Sequence, residues 1–229
     1  MPLSIGDVNP PCATLIFLSS FFLKPSRRAD AAPATQAASD PEVKRDGVHL
    51  MYGQHARSAV LELHSSLAQC QPPDDSTDAA PRYASKTAWD HRLNDTEFAL
   101  DLAATCDFDA QATLARYEAG LPLGVLIIAP PRGTGLPAYA SMEVIATHPD
   151  SRGVASALME QAVNLAHIWE CDGRIKLFSM TESANPAYLA LGFKAAGDGE
   201  YTLQPAASEH WSLDKDTWRR TKPAAGVLE

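Results

Sequence analysis

The chain is short of positive charge. It carries 19 Lys and Arg against 28 Asp and Glu, a formal net charge of −9 over 229 residues. Sequence-general binding to nucleic acid needs a basic face, so that class of function is excluded. Long hydrophobic runs are lacking too. None reaches the roughly 20 apolar residues that a helix needs to span a bilayer, so no stable membrane span is expected. Cysteine is sparse: Cys12, Cys70, Cys106 and Cys171 stand far apart, with no C-x-x-C pair. A structural zinc site uses close ligand pairs, so no metal is expected. Isolated thiols suit a reducing compartment, and the expected location is cytoplasmic. No internal repeat appears, and the composition excludes a collagen or a coiled coil. What is present is a chain 45% hydrophobic and 21% charged, enough for one packed domain with some chain to spare.

Residues 1–46 read as a leader. Five basic residues (Lys24, Arg27, Arg28, Lys44, Arg45) cancel five acidic ones (Asp7, Asp30, Asp40, Glu42, Asp46). The net charge therefore belongs to 47–229. Residues 29–41 are rich in Ala, Pro and Ser and show no apolar periodicity, which is the composition of a disordered segment. The short apolar run 12–23 has no basic residue before it, unlike a secretory signal, although Ala29-Asp30-Ala31 matches a small-x-small cleavage site. A disordered leader is the expectation; a cleaved secretion signal and a membrane-surface contact remain open. The stretch 206–229 reads as a polar C-terminal tail, with Trp211 and Trp218 as its large apolar anchors.

Between these ends, strand and helix patterns alternate. Strands are expected at 47–52, 111–117, 123–129, 138–147, 174–180 and 200–204. Helices are expected at 56–69, 95–104, 154–169 and 186–191. Gly120-Leu121-Pro122 marks a hairpin between the second and third strands. The helix at 154–169 places Leu158, Ala162, Leu165 and Trp169 on one stripe, with Glu160, Gln161, Asn164 and His167 facing away from it.

Two segments carry chemistry. The turn His148-Pro149-Asp150-Ser151-Arg152-Gly153 joins a strand to a helix start. A helix start offers unpaired N–H groups and a partial positive charge, Gly153 lets the backbone approach closely, and Arg152 adds a cation. Together they suit a phosphate or pyrophosphate. Further on, Tyr188-Leu-Ala-Leu-Gly192-Phe193 closes a short helix. With these residues the sequence resembles the GNAT acyltransferase superfamily, over about 47–205. Pro149, Arg152, Gly153 and Ala155 answer to that family's P-x-x-R-G-x-G/A turn. Tyr188, Gly192 and Phe193 answer to its Y-x-x-x-G-F ending. The loop departs from the family pattern, either with Ala at both late Gly positions (Ala155, Ala157) or two residues short. Thr181 also stands where the family often has Asn.

The resemblance implies an α/β (α+β) fold: a mixed central sheet, flanked by helices, with two splayed parallel strands. It implies transfer of an acetyl group from acetyl-CoA to an amine of a small molecule or a protein, by direct attack in a ternary complex. Ile145, Ala146 and Thr147 would hydrogen-bond the pantetheine arm, and Arg152, Gly153, Val154, Ala155, Ser156 and Ala157 would hold the pyrophosphate. A backbone N–H near Ala146 would polarise the reacting carbonyl. Glu143 is the candidate base, with His148 as a second. Tyr188 would donate a proton to the departing thiolate. A module of the same fold that binds acyl-CoA or a partner without turnover is the alternative, and the altered loop speaks for it. Monomer and homodimer both remain open. From 138 to 205 eight acidic residues face four basic ones, a background that suits a cationic amine acceptor.

Overall fold

A computed structural model describes residues 46–71, 86–132 and 137–221. The leader, including its apolar run, lies outside the described residues up to 45. Residues 71–81 and 130–137 are loops by composition, and most of the first, part of the second and the last eight residues lie outside the described residues as well.

The element order is β1 (Gly47–Met51), α1 (Gly53–Leu67), α2 (Lys86–Ala103), β2 (Ala112–Glu118), β3 (Leu121–Ala129), β4 (Ala140–Thr147), α3 (Val154–Ile168), β5 (Ile175–Phe178), α4 (Asn185–Ala190), β6 (Lys194–Gly197), β7 (Glu200–Leu203), β8 (Trp211–Asp214) and β9 (Thr217–Arg220). Seven strands form one sheet in the order β1-β2-β3-β4-β5-β7-β6. Its pairs are antiparallel except β4 with β5, which is parallel. The mixed sheet with a central parallel pair is therefore the observed fold. No helix among the described residues is long and apolar enough to cross a membrane.

Each sheet face has its own core. On one, Leu126, Ile128, Ala140, Met142, Ile175 and Leu177 pack with the apolar stripe of α3. On the other, Val125, Ile127, Val144 and Ala146 pack with Ala56, Val60 and Leu63 of α1 and Leu100 of α2. Strand alternation explains β3, where 125 and 127 face one way and 126 and 128 the other. It fails along β4, where Met142 and Val144 lie on opposite faces. The register gives the cause: Ile128 pairs with Met142 but Ile127 pairs with Val144, so Glu143 is an extra residue, a β-bulge. The two-residue alternation that would put Glu143, Ile145 and Thr147 on one face is thus interrupted at Glu143 itself.

Three differences from the sequence reading have physical reasons. Helix α2 begins at Lys86, not 95, because Trp89 is buried in its first half amid polar residues that hide the stripe. Strand β6 was not expected; all four of its residues are exposed, so it carries no apolar pattern. The packed unit also continues past 205. Strands β8 and β9 form a hairpin whose Trp211 and Trp218 join the α3-side core. It lies against the polar face of α3. Asn164 accepts from Trp218 N at 2.7 Å and donates to Trp218 O at 3.1 Å, as a neighbouring strand would. Glu160 accepts from Arg219 Nη1 at 2.7 Å. A polar helix face thus has a partner through hydrogen bonds rather than facing solvent.

Candidate active site

The parallel pairing of β4 and β5 covers Ala140–Met142 against Ile175–Leu177 only. Beyond Met142 the strands part. The opening is a cleft of about 530 Å³ between Glu143–Thr147 of β4, α2, and the segment from Phe178 to Leu191.

The backbone of β4 faces two ways in this stretch. His148 N donates to Leu123 O at 2.8 Å, towards β3. In an antiparallel pair alternate residues bond to the same neighbour, so Ala146 also turns its N–H to β3. Ile145 and Thr147 present theirs to the opening. Thr147 O accepts from Thr96 Oγ1 of α2 at 3.3 Å. This corrects the expectation for Ala146: its side chain lines the cleft, but the N–H aimed into the opening is that of Ile145.

At one end of the cleft is the turn into α3. Ser151 N and Oγ both donate to His148 O, at 2.9 and 2.7 Å, which tightens the turn. Gly153 then takes the left-handed conformation, φ +70°, as the residue before the helix, and no side chain caps the first turn. The N–H groups of that turn have no partner within the helix. A small cavity of about 60 Å³ sits there, lined by Arg92, Thr147, Ser151, Gly153, Val154, Ala155 and Ser156. Arg152 is exposed beside it. Ala157 N is already bonded to Gly153 O at 3.0 Å, so Ala157 belongs to the helix ladder rather than to the open turn.

Two cations that the sequence reading did not place at this turn join it. Arg92 Nη2 donates to Thr147 Oγ1 at 3.4 Å. Arg220 of β9 donates from Nη1 to Ser156 Oγ at 2.7 Å and from Nη2 to Ala190 O at 3.1 Å. Arg220 is 64 residues from Ser156 and in the supposed tail, so only the docked hairpin reveals it.

Tyr188 lines the middle of the cleft. Its ring packs edge-on to Phe193 at 5.9 Å and against Tyr201 at 5.8 Å. Burial, with a smaller contribution from Tyr201, pushes its hydroxyl pKa above the ordinary value near 10, so it stays protonated at neutral pH. Glu143 lines the cleft from the bulge and is exposed. Its charge, after burial, helps push the Cys106 thiol up to about 11. His148 does not join them. It lies behind the turn, with Nε2 3.1 Å from Cys70 Sγ and Nδ1 accepting from Asp150 N at 3.3 Å. Burial lowers its pKa, against a smaller opposing effect of Asp150. Cys70, His148 and Asp150 bring ligand-type atoms within 4.8 Å of one another, a grouping across 78 residues that spacing did not show. Trp89 of α2 is buried, while Arg92, three residues on, lines the cleft.

Solved structures similar to this chain include GNAT-family acetyltransferases. An acyl-CoA N-acyltransferase from Pseudomonas aeruginosa is 17% identical, with 75% of this chain and 94% of that one covered and a TM-score of 0.40. A GNAT family acetyltransferase from Brucella melitensis, solved in complex with acetyl-CoA, is 15% identical over 69% of this chain and 88% of that one, TM-score 0.37. A GCN5-related N-acetyltransferase from Rhodopseudomonas palustris is 19% identical over 72% of this chain and 96% of that one, TM-score 0.36. No protein-family model and no curated protein matches the chain.

Proposed function

We propose that the protein transfers an acetyl group from acetyl-CoA to an amine. The observation that carries this reading is the parting of β4 from β5, with an uncapped helix start at one end of the gap and the half-buried Tyr188 lining it. The residues fit the cofactor. The Ile145 carbonyl and the Thr147 N–H would pair with the pantetheine arm as a strand edge does. The N–H groups of Gly153–Ser156, with Arg152 and Arg92, would hold the pyrophosphate. Ala146 and Ala157 line or support the site without offering their N–H groups.

When bound, acetyl-CoA supplies an activated acyl group and a thiol leaving group. The chain's own residues then have separate tasks. Glu143 takes a proton from the acceptor's ammonium, directly or through water, because only the neutral amine is a nucleophile. Ile145 N–H stabilises negative charge on the carbonyl oxygen. Tyr188 gives its proton to the departing sulfur. The proposed catalytic unit is residues 47–221, and the proposed location is the cytoplasm.

The test is thiol release from acetyl-CoA over a panel of amines, alongside calorimetric binding of CoA. Amine-dependent release supports the transfer reading. Tight CoA binding with no release above hydrolysis for any amine would instead support the non-catalytic alternative.

A further inference from the structure

The half of the cleft away from the turn into α3 carries large apolar side chains around Glu143. Helix α2 runs antiparallel to β4. Thr96 and Arg92 meet Thr147, whereas Cys106, beyond the helix end, senses the charge of Glu143. Phe98, Ala99 and Leu102 therefore lie along the half of the cleft that holds Glu143. The opposite wall comes from β5. Ile175 and Leu177 bury towards α3, so Phe178 projects to the other face, that of α2. Phe98, Phe178 and Met180 all line this one cleft and are 48%, 60% and 65% exposed.

Three large apolar side chains left open in a single concave site mark a surface that a ligand covers. The charges point the same way. The Asp95 carboxylate already accepts from Ser183 Oγ at 2.6 Å, and Arg92 is turned towards Thr147. In the half lined by Phe98, Phe178 and Met180, Glu143 is the carboxylate for one ammonium head, whereas Asp95, next to Thr96, lies towards the Thr147 end. A polyamine would bring further ammonium groups against those side chains, and a sugar amine would bring hydroxyls without partners. Both carry the desolvation cost of polar groups placed on apolar surface.

We propose that the acceptor is a primary amine on an apolar body, aromatic or branched aliphatic, with Phe98, Phe178 and Met180 as its specificity wall. This rests on the transfer reading above. The experiment uses the full chain with acetyl-CoA and compares 2-phenylethylamine and 3-methylbutylamine with spermidine, glucosamine and a lysine amide. Apolar amines are expected to show kcat/KM at least about tenfold higher, a discrimination within reach of apolar pockets. Phe178→Ala is expected to raise KM for 2-phenylethylamine, with Phe178→Leu restoring most of it, and neither is expected to alter CoA affinity. A preference for spermidine, glucosamine or the lysine amide overturns the inference and leaves the transfer reading standing. If no amine releases thiol, the transfer reading falls. Calorimetry of 2-phenylethylamine with the CoA-loaded protein then decides: binding weakened by Phe178→Ala supports the apolar amine site, and no binding overturns it.

Discussion

Replacing Tyr188 with Phe removes one hydroxyl and leaves the ring between Phe193 and Tyr201. The fold should tolerate this: a lost hydroxyl is worth about 1 kcal/mol. Catalysis should not. Proton donation by a positioned side chain contributes about 10²–10⁴-fold, or roughly 3–5 kcal/mol of barrier at about 1.4 kcal/mol per tenfold. The loss should fall on kcat, with CoA affinity within about twofold of wild type, because the hydroxyl acts only as the sulfur departs. The pH profile adds a check. Burial raises the Tyr188 pKa above 10, so the wild-type donor is intact across the neutral range and is lost only as pH rises past that value. The ratio of wild-type to variant kcat should be flat from pH 7 to 9 and narrow above 10. An acyl donor with a more acidic thiol needs less help and should show a smaller deficit. Steady-state kinetics at saturating amine, with circular dichroism melting as the control for folding, measures all three. A variant within threefold of wild type, or a deficit confined to KM, would refute the proton-donor assignment.

Other outcomes follow from the same geometry. A Cβ at Gly124 of β3 would lie 2.6 Å from Val154 Cγ1 and 3.0 Å from Ala146 O. Gly124→Ala should therefore cost about 1–3 kcal/mol in denaturant melts, as overpacking does, and weaken CoA binding by displacing the start of α3. With its thiol pushed to about 11, Cys106 should alkylate with iodoacetamide far more slowly in the folded protein than in urea, and Glu143→Gln should speed the folded rate, read by peptide mass spectrometry. The raised value also sets a sign for stability. The folded state holds this proton more tightly, so that contribution is intact below pH 9 and falls as pH rises from 9 to about 11. Cys106→Ala should flatten that fall. Arg220→Met should keep an apolar stem over α3 but lose the bonds to Ser156 and Ala190, raising the dissociation constant for CoA more than that for dephosphorylated pantetheine.

Legibility in the sequence followed periodicity. The long helix at 154–168 and the hairpin at 112–129 have strong apolar patterns, and their positions agree closely with expectation. The turn at 148–153 and the Tyr188 helix were legible because their residue types have few structural uses in that order. The bulge was not. One extra residue at Glu143 leaves composition unchanged and alters only which face each later side chain takes, so it shows in register alone. The terminal hairpin was hidden for a related reason. Its strands are four residues long, mostly polar, and held to α3 by Asn164 and Glu160, which periodicity assigns to solvent.

That hairpin changes the electrostatic argument drawn from composition. From the sequence, an acidic domain appears to oppose an anionic cofactor, with Arg152 as the local exception. In the fold, Arg92, Arg152 and Arg220 come from three distant segments to the start of α3. Glu143 stands at the other end of the same cleft. Uniform acidity would weaken phosphate binding throughout, but arginines gathered at one end and Glu143 at the other would hold a phosphate and an ammonium at a separation that the strand sets. Glu143 and Thr147 are four steps apart along β4, at most about 13 Å at about 3.3 Å per residue. Ile145 lies between them on the strand, and Tyr188 lines the same cleft, where the acyl group would pass from sulfur to nitrogen. The net charge of −9 is thus a poor guide to this site. Under the proposed function, the three arginines gathered at the start of α3 would meet the phosphates, and Glu143 the amine.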